Sequence, residues 1–235
     1  MANASLLRPC ETQLQRPGRW GRRTPDDIAT SISPSGWLAA ASAKHIRLYN
    51  VKEANRNTTI PLSTSVSINT GPDDRIRAIA LSEDLLVVLT RSKLFVYGEY
   101  RTRPDLVKSR DVDQAWSVSI EQAGVAAPCV EASASVVVGG VGVAGVMVFR
   151  YVYKAGWNAQ HDYMRLLCPG NIGAIKTVGF SPYQSNALYG PLAFALTKTN
   201  RLYCWLVGNS SEPGIRNVQP SWHIDCNSLR NQHVS

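Results

Sequence analysis

The sequence is poor in the residue patterns that mark a chemical site. Its five cysteines are odd in number, widely spaced and never arranged as Cys-x-x-Cys, so neither a disulfide framework nor a zinc site is expected. The one local cluster of a histidine with an acid and a thiol is His223, Asp225 and Cys226. Strand alternation would turn Cys226 away from the other two, and an ordinary polar segment explains them better than a nucleophile with its base. We therefore expect no catalysis, no metal and no cofactor.

Long apolar segments are also scarce. Leu6-Leu7 is followed at once by Arg8-Pro9, so a secretory signal is not expected. Residues 132–149 are the exception, because they are 18 positions without a charge, which is long enough for a membrane span. They are rich in valine and carry glycines at 139, 140, 142 and 145, which is typical of two strands joined by a turn. We expect a hairpin with its connection at Gly139 to Gly145, and a membrane span is the alternative.

The composition is that of a globular domain. The chain has 235 residues, of which 44% are hydrophobic and 18% charged, enough for one all-β domain with a substantial core. Unpaired cysteines and the missing apolar leader favour a reducing, intracellular location, cytoplasmic or nuclear.

The first 25 residues differ from the rest because they hold five arginines against one acid, Glu11, together with three prolines. Such a segment is expected to be a disordered basic tail. The alternative is an arm that contacts an anionic partner, nucleic acid included, through Arg16, Arg19, Arg22 and Arg23. Nucleic-acid binding is disfavoured, because the other basic residues lie in expected turns and the aromatic residues occupy expected core positions of strands.

A unit of about 50 residues recurs along the chain. Its copies begin near Ile28, Ile76 and Ile175, with a weaker copy beginning at Ala115. Each unit contains three short runs of aliphatic, β-branched and aromatic residues that are separated by turn residues, which predicts strands joined by hairpins. The runs are too short for helices. A period of this length with several strands in each unit is typical of β-propeller blades.

The sequence resembles the WD-repeat family over roughly residues 26–206. The resemblance depends on the turns Ile32-Ser-Pro-Ser-Gly36 and Phe180-Ser-Pro182, and on an aromatic residue that closes the third run of each unit. The family's Trp-Asp and Gly-His dipeptides are missing, so its buried hydrogen-bond network is not expected here. The residues that match the blade motif, and for which a structural role is implied, are Ser33, Pro34, Gly36, Tyr49, Ser82, Tyr97, Phe149, Ser181, Pro182 and Trp205.

About four blades are predicted, and an unclosed array of blades leaves two apolar faces in water. The four blades could close on themselves, two chains could form one ring, or further blades could come from elsewhere. We expect an incomplete propeller that a partner completes, with residues 207–235 forming a tail or the first strand of a further blade. The resemblance implies a non-catalytic scaffold for protein–protein interaction. Its partners are expected to be other proteins, and self-association stays open.

Overall fold

A computed structural model of the chain describes residues 13–14, 28–53, 59–112, 114–123, 132–140, 145–153, 156–168, 174–181, 191–207 and 215–227. These residues form strands and the turns between them, with helical structure limited to single turns such as Val51–Glu53. The prediction of an all-β fold is therefore confirmed. The predicted basic tail lies outside the described residues except for a two-residue strand at Gln13–Leu14, and so do all four of its candidate contact arginines.

Four antiparallel sheets, named blades 1 to 4, follow one another along the chain. Blade 1 contains β2 (Ile28–Ile32), β3 (Trp37–Ser42), β4 (His45–Asn50) and β6 (Thr64–Ser67). Blade 2 contains β7 (Ile76–Leu81), β8 (Leu85–Thr90), β9 (Lys93–Gly98) and β10 (Asp105–Asp111). Blade 3 contains β11 (Ala115–Ala123), β12 (Ser133–Gly140), β13 (Val146–Tyr153) and β14 (Trp157–Leu166). Blade 4 contains β15 (Ile175–Phe180), β16 (Leu192–Thr197), β17 (Arg201–Leu206) and β19 (Trp222–Asp225).

Three further strands pair outside this simple order. The strand β1 (Gln13–Leu14) runs parallel to β5 (Thr59–Ile60), and β18 (Ile215–Val218) runs parallel to β14 at the outer edge of blade 3. The segment that follows β17 therefore first pairs with blade 3 through β18. It then returns to blade 4 as β19, which pairs antiparallel with β17. Residues Trp222–Asp225 thus form the outer strand of blade 4 instead of opening a fifth sheet.

Each blade has one strand more than the three that the sequence predicts. The additional strand follows the third, and in blades 2 and 4 its residues are mostly in contact with water: β10 is exposed at five of its seven positions and β19 at all four. A strand that buries so little apolar surface carries no clear alternation of apolar and polar residues, so its sequence gives no strong signal.

The blades pack face to face through three apolar seams. The innermost strands β2, β7, β11 and β15 contact one another in succession. One core cluster fills the seam between blades 1 and 2, a second fills that between blades 2 and 3, and a third fills that between blades 3 and 4. Within the described part of the chain, no comparable contact joins blade 4 to blade 1. The array is therefore open, as the prediction of an incomplete propeller requires.

Residues 132–149 form two neighbouring strands of blade 3. The strands β12 and β13 pair antiparallel from Ser133↔Val152 to Gly139↔Val146, which confirms the predicted hairpin. Gly139 and Gly140 belong to β12, however, so the connection begins later than the sequence suggests. Among the described residues, no helix is long and apolar enough to cross a membrane.

Candidate interaction surface

The motif serines build the turn between the first two strands of a blade. The side chains of Ser33 and Ser82 are buried, and each hydroxyl accepts a hydrogen bond at 3.1 Å, from the amides of Trp37 and Leu85 respectively. Gly36 lies in the left-handed region, with a φ of 87°, which a residue without a Cβ adopts at little cost. The backbone repeats the same bond three times: the amides of Ser33, Ser82 and Ser181 donate to the carbonyls of Trp37, Leu85 and Leu192 at 2.8, 3.0 and 2.9 Å. Pro34 is exposed, and Pro182 lies outside the described residues.

The four motif aromatics are buried in the blades. Tyr49, Tyr97, Phe149 and Trp205 occupy the third strand of their blades, and none of them is more than 8% exposed. Trp205 also donates a hydrogen bond from Nε1 to the carbonyl of Leu167 at 3.1 Å. These side chains are packing residues of the blades.

A hydrogen-bond network that the sequence does not predict surrounds Asp74 in blade 2. Its Oδ2 accepts from the hydroxyls of Thr90 and Ser92, each at 2.8 Å, and its Oδ1 accepts from the amide of Arg91 at 2.9 Å. Partial burial acts to raise the pKa of Asp74, but the hydrogen bonds outweigh burial and hold the pKa below its ordinary value. The network connects the residues just before β7 to the turn between β8 and β9.

Substituting Asp74→Ala should lower the free energy of unfolding by about 1–2 kcal/mol at neutral pH, because three donors lose a charged acceptor at a half-exposed site. The loss should be pH dependent. The depressed pKa means that Asp74 contributes fully above its ordinary pKa of 3.8, and that the contribution disappears as the pH falls through the folded pKa. Urea denaturation between neutral and acid pH measures this. The exposed neighbour provides the control, since Asp73→Ala should change stability by less than about 0.5 kcal/mol at any pH.

The candidate reactive residues are engaged in packing. His223 stacks on Tyr203 with ring centroids 5.7 Å apart, and Asp225 pairs with Arg201 at 3.9 Å. Burial raises the pKa of the Cys204 thiol, and it raises the pKa of Cys168 to about 12. Across the described ranges, no three His, Cys, Asp or Glu side chains are grouped so that they could hold a metal ion.

Each blade has two apolar faces, which we name by their neighbours. The forward face packs on the following blade, and the backward face packs on the preceding one. In blades 1 and 2 the forward face contains the cross-strand pairs Ala39↔Leu48 and Val87↔Val96. Both faces of blade 2 are covered, and every residue of β8 is buried.

The forward face of blade 4 has the same construction, and no blade among the described residues packs on it. Phe194 pairs with Cys204 and Leu196 pairs with Leu202, at the positions that form the seams of blades 1 and 2. The alternation of buried and half-buried residues along β16 shows that one of its faces is covered and the other is not. Within the part of the chain that the structure describes, this end of the array therefore presents a seam surface without a partner blade.

The outer strand β19 extends this surface. Trp222 and Ile224 are 41% and 39% exposed, and Leu206 on β17 is 37% exposed. The rings of Phe194 and Trp222 meet with centroids 5.9 Å apart, and both residues neighbour Cys204 in the register, so Cys204 is buried beneath them.

The backward face of blade 1 is the second end of the array. Ile28 and Ile32 on β2 are 39% and 60% exposed there, whereas Tyr49 is covered by Ile60 and Leu62. Five of the six large apolar side chains that are exposed in the described residues lie on these two end faces, and the sixth is Leu106 on β10. Among the described residues, the exposed parts of these two end faces are thus the apolar surfaces available to a partner.

Comparison with known structures identifies the fold. The WD40 domain of SCAP from fission yeast superposes with a TM-score of 0.55 and 12% sequence identity, over 84% of this chain and 44% of that one. The fold is a WD40-type β-propeller. The Saccharomyces cerevisiae protein Sqt1 superposes with a TM-score of 0.51 and 10% identity, over 88% of this chain and 50% of that one. The WD40-type chain described here thus spans about half the length of these two structures. No protein-family model and no curated protein matches the sequence.

The forward face of blade 4 can be predicted from the sequence when whole strands of different blades are compared, because no single motif marks it. Aligning β16 and β17 with β8 and β9 places Phe194, Leu196 and Leu202 at seam positions. Such positions need a following blade, and the described residues after blade 4 do not form one.

Proposed function

We propose that this chain is a non-catalytic, intracellular scaffold that binds proteins through its two end faces. The observation that carries the proposal is the forward face of blade 4, where the apolar positions of an interior seam meet water. Contiguous exposed apolar surface of this kind marks sites of protein–protein interaction. The WD40-type fold supports the proposal at the level of class, because rigid blades hold a binding surface in place without contributing chemistry.

The end faces suit a protein partner better than a small ligand. They are broad surfaces of sheets instead of concave pockets, and small-molecule sites are concave. Their exposed side chains are isoleucine, leucine and tryptophan, so binding would gain its free energy from burying apolar area and aromatic rings.

Quantitative capture tests the proposal. The immobilised chain is incubated with a lysate of the organism that encodes it, and bound proteins are cross-linked and identified by mass spectrometry. We expect proteins that are retained by the wild type and lost with Ile224→Asp, since a carboxylate on the end face must be desolvated in the complex. Leu106→Asp is the matched control, because Leu106 is 52% exposed and lies on an interior blade. Identical sets of captured proteins for the two variants would contradict the proposal.

A further inference from the structure

The innermost strands of blades 2, 3 and 4 carry a β-bulge at the same position. In β7, β11 and β15 the pairing register shifts directly after the first residue, which leaves the second residue without a partner in the register. The three bulged residues are Arg77, Trp116 and Lys176. A bulge redirects its side chain away from the regular alternation of the strand, and bulges are over-represented next to active sites for this reason.

Trp116 lies between the two cations. Its strand β11 contacts both β7 and β15, and all three bulges lie at the start of their strands, at one end of the blades. The indole Nε1 of Trp116 donates a hydrogen bond of 2.7 Å to the carbonyl of Ile175, which is the residue directly before Lys176. Arg77 has the equivalent place in the preceding blade. The order across the three blades is therefore cation, aromatic ring, cation, and we call these three residues the bulge row.

A further cation is held at the bulge row. Lys198 belongs to the turn between β16 and β17, and its Nζ lies 5.9 Å from the centroid of the Trp116 ring, a distance at which an ammonium group and a ring attract each other. Arg77, Lys176 and Lys198 are all exposed. Among the described residues, no acidic side chain forms an ion pair with any of the three. The row therefore presents three positive charges to water, with a half-buried tryptophan among them.

The end of the blades that carries the bulge row, here named the first rim, has few acids to offset this charge. It comprises the turns 43–44, 91–92 and 198–200, the connection 68–75 and the strand ends beside them. Three of its acids are already engaged, since Asp74 accepts hydrogen bonds within its own network, Asp111 pairs with Lys93 at 3.8 Å and Asp225 pairs with Arg201 at 3.9 Å.

The opposite rim differs because its arginines are compensated by acids. Arg101 pairs with Glu83 at 2.6 Å, and Arg103 pairs with Asp105 at 3.7 Å. Long-range attraction therefore directs an anionic partner to the first rim.

We infer that the bulge row binds an acidic, extended segment of a partner protein. The row is separate from the exposed apolar residues of the end faces, so the inference goes beyond the proposed function. The guanidinium of Arg77 can hold a carboxylate through two parallel hydrogen bonds, and the ammonium groups of Lys176 and Lys198 attract further carboxylates as point charges. The ring of Trp116 gives the aliphatic part of a glutamate side chain an apolar surface between the cations.

A protein segment suits the row better than a nucleic acid. Single-stranded nucleic acids bind by stacking successive bases on aromatic side chains. Trp116 is the one aromatic residue of the row, it is half buried, Lys198 lies over its ring, and its Nε1 is already bonded to Ile175. The ring therefore offers no platform for a run of bases, whereas carboxylates need only the cations beside it.

Fluorescence anisotropy with labelled peptides tests the inference on the full chain. The probe is a fluorescein-labelled peptide of about ten residues in which glutamate alternates with serine, long enough to cross several blades when extended. A peptide with lysine in place of glutamate and a single-stranded oligonucleotide of equal charge are the comparison probes. We expect the acidic peptide to bind, with an affinity that falls as the salt concentration rises from about 0.05 M to about 0.3 M. The lysine peptide should not bind.

Removing one charge of the row at a time should weaken the binding. Arg77→Gln and Lys176→Gln should each raise the Kd of the acidic peptide about 10-fold, because each removes a charge-assisted hydrogen bond. Arg103→Gln is the matched control, since Arg103 is an exposed arginine of the opposite rim, and it should change the Kd by less than about 2-fold. Combining Arg77→Glu with Lys176→Glu should abolish binding of the acidic peptide and allow the lysine peptide to bind, which a loss of folding cannot produce.

Three outcomes would overturn the inference. The first is a Kd of the acidic peptide weaker than about 1 mM at low salt. The second is equal weakening by Arg103→Gln and Arg77→Gln, which would mean attraction to the overall charge alone. The third is an oligonucleotide that binds more tightly than the acidic peptide and depends on Arg77 and Lys176, which would favour a nucleic acid as the partner.

Further variants separate the bulge row from the other candidate surfaces. Replacing Arg16, Arg19, Arg22 and Arg23 together by glutamine should weaken peptide binding less than Arg77→Gln does, and the reverse order would overturn the inference in favour of the basic tail. If the peptide binds as expected while protein capture is insensitive to Ile224→Asp, this inference stands and the proposed function fails.

Discussion

Replacing Trp205 with alanine is expected to lower the free energy of unfolding by about 3–5 kcal/mol, which is the cost of removing a large aromatic ring from a close-packed core. Trp205 is fully buried, stacks with Tyr203 at a centroid distance of 5.9 Å and donates to the Leu167 carbonyl. The substitution therefore removes packing and a hydrogen bond from the seam between blades 3 and 4. Urea denaturation followed by circular dichroism measures the loss.

A second tryptophan of the same blade provides the control. Trp222 is 41% exposed on the other face of blade 4, so Trp222→Ala should cost about 1 kcal/mol or less. Trp205→Phe separates the two contributions, since it keeps a ring in the seam and loses the indole donor. Equal losses for Trp205→Ala and Trp222→Ala would mean that the seam is not packed as described.

Gly139→Ala should also destabilise the protein, by about 1–3 kcal/mol, through overpacking. A Cβ added at Gly139 would lie 2.6 Å from Cγ1 of Val178 and 2.9 Å from Cγ2 of Ile175. Both neighbours are branched and buried in the seam between blades 3 and 4, so they cannot move aside freely. The change in urea midpoint at constant slope measures the effect.

A glycine of the next blade is the matched control. A Cβ added at Gly179 meets nothing within 4 Å, so Gly179→Ala should be neutral or slightly stabilising. Val178→Ala should reduce the cost of Gly139→Ala, because it removes the atom that overlaps most. If Gly139→Ala costs the same with and without Val178, close contact is not the cause.

Burial explains which strands could be predicted from the sequence. The three inner strands of blade 2 lie between two other blades, so they appear as nearly continuous apolar runs, and β8 is buried at all six positions. Its outer strand β10 has most of its residues exposed, and its polar sequence Asp-Leu-Val-Lys-Ser-Arg-Asp shows no periodicity that separates it from a loop. The repeat therefore reveals the number of blades but not the fourth strand in each.

The strand position of Gly139 and the network of Asp74 both depend on contacts between distant parts of the chain. Gly139 has the appearance of a turn residue, yet it lies within β12, at a position where Val178 and Ile175 of the next blade leave no room for a side chain. Asp74 also has the appearance of a turn residue. Its partners Thr90, Arg91 and Ser92 lie 16 to 18 positions away, and only the folded blade brings them together. Neither the packing role of Gly139 nor the hydrogen-bonding role of Asp74 can be predicted from the residues next to it in the sequence.

The path of the chain through β18 affects how the last blade can open. After β17 the chain leaves blade 4, pairs with the edge of blade 3 from Tyr163↔Ile215 to Leu166↔Val218, and only then returns as β19. The amide of Leu167 adds a bond of 2.8 Å to the Val218 carbonyl. Blade 4 is therefore fastened to blade 3 by backbone bonds as well as by side-chain packing. Separating blade 4 from blade 3 would break the backbone hydrogen bonds between β14 and β18. The two blades should therefore unfold as one cooperative unit, and the exposed end face of blade 4 stays fixed to blade 3.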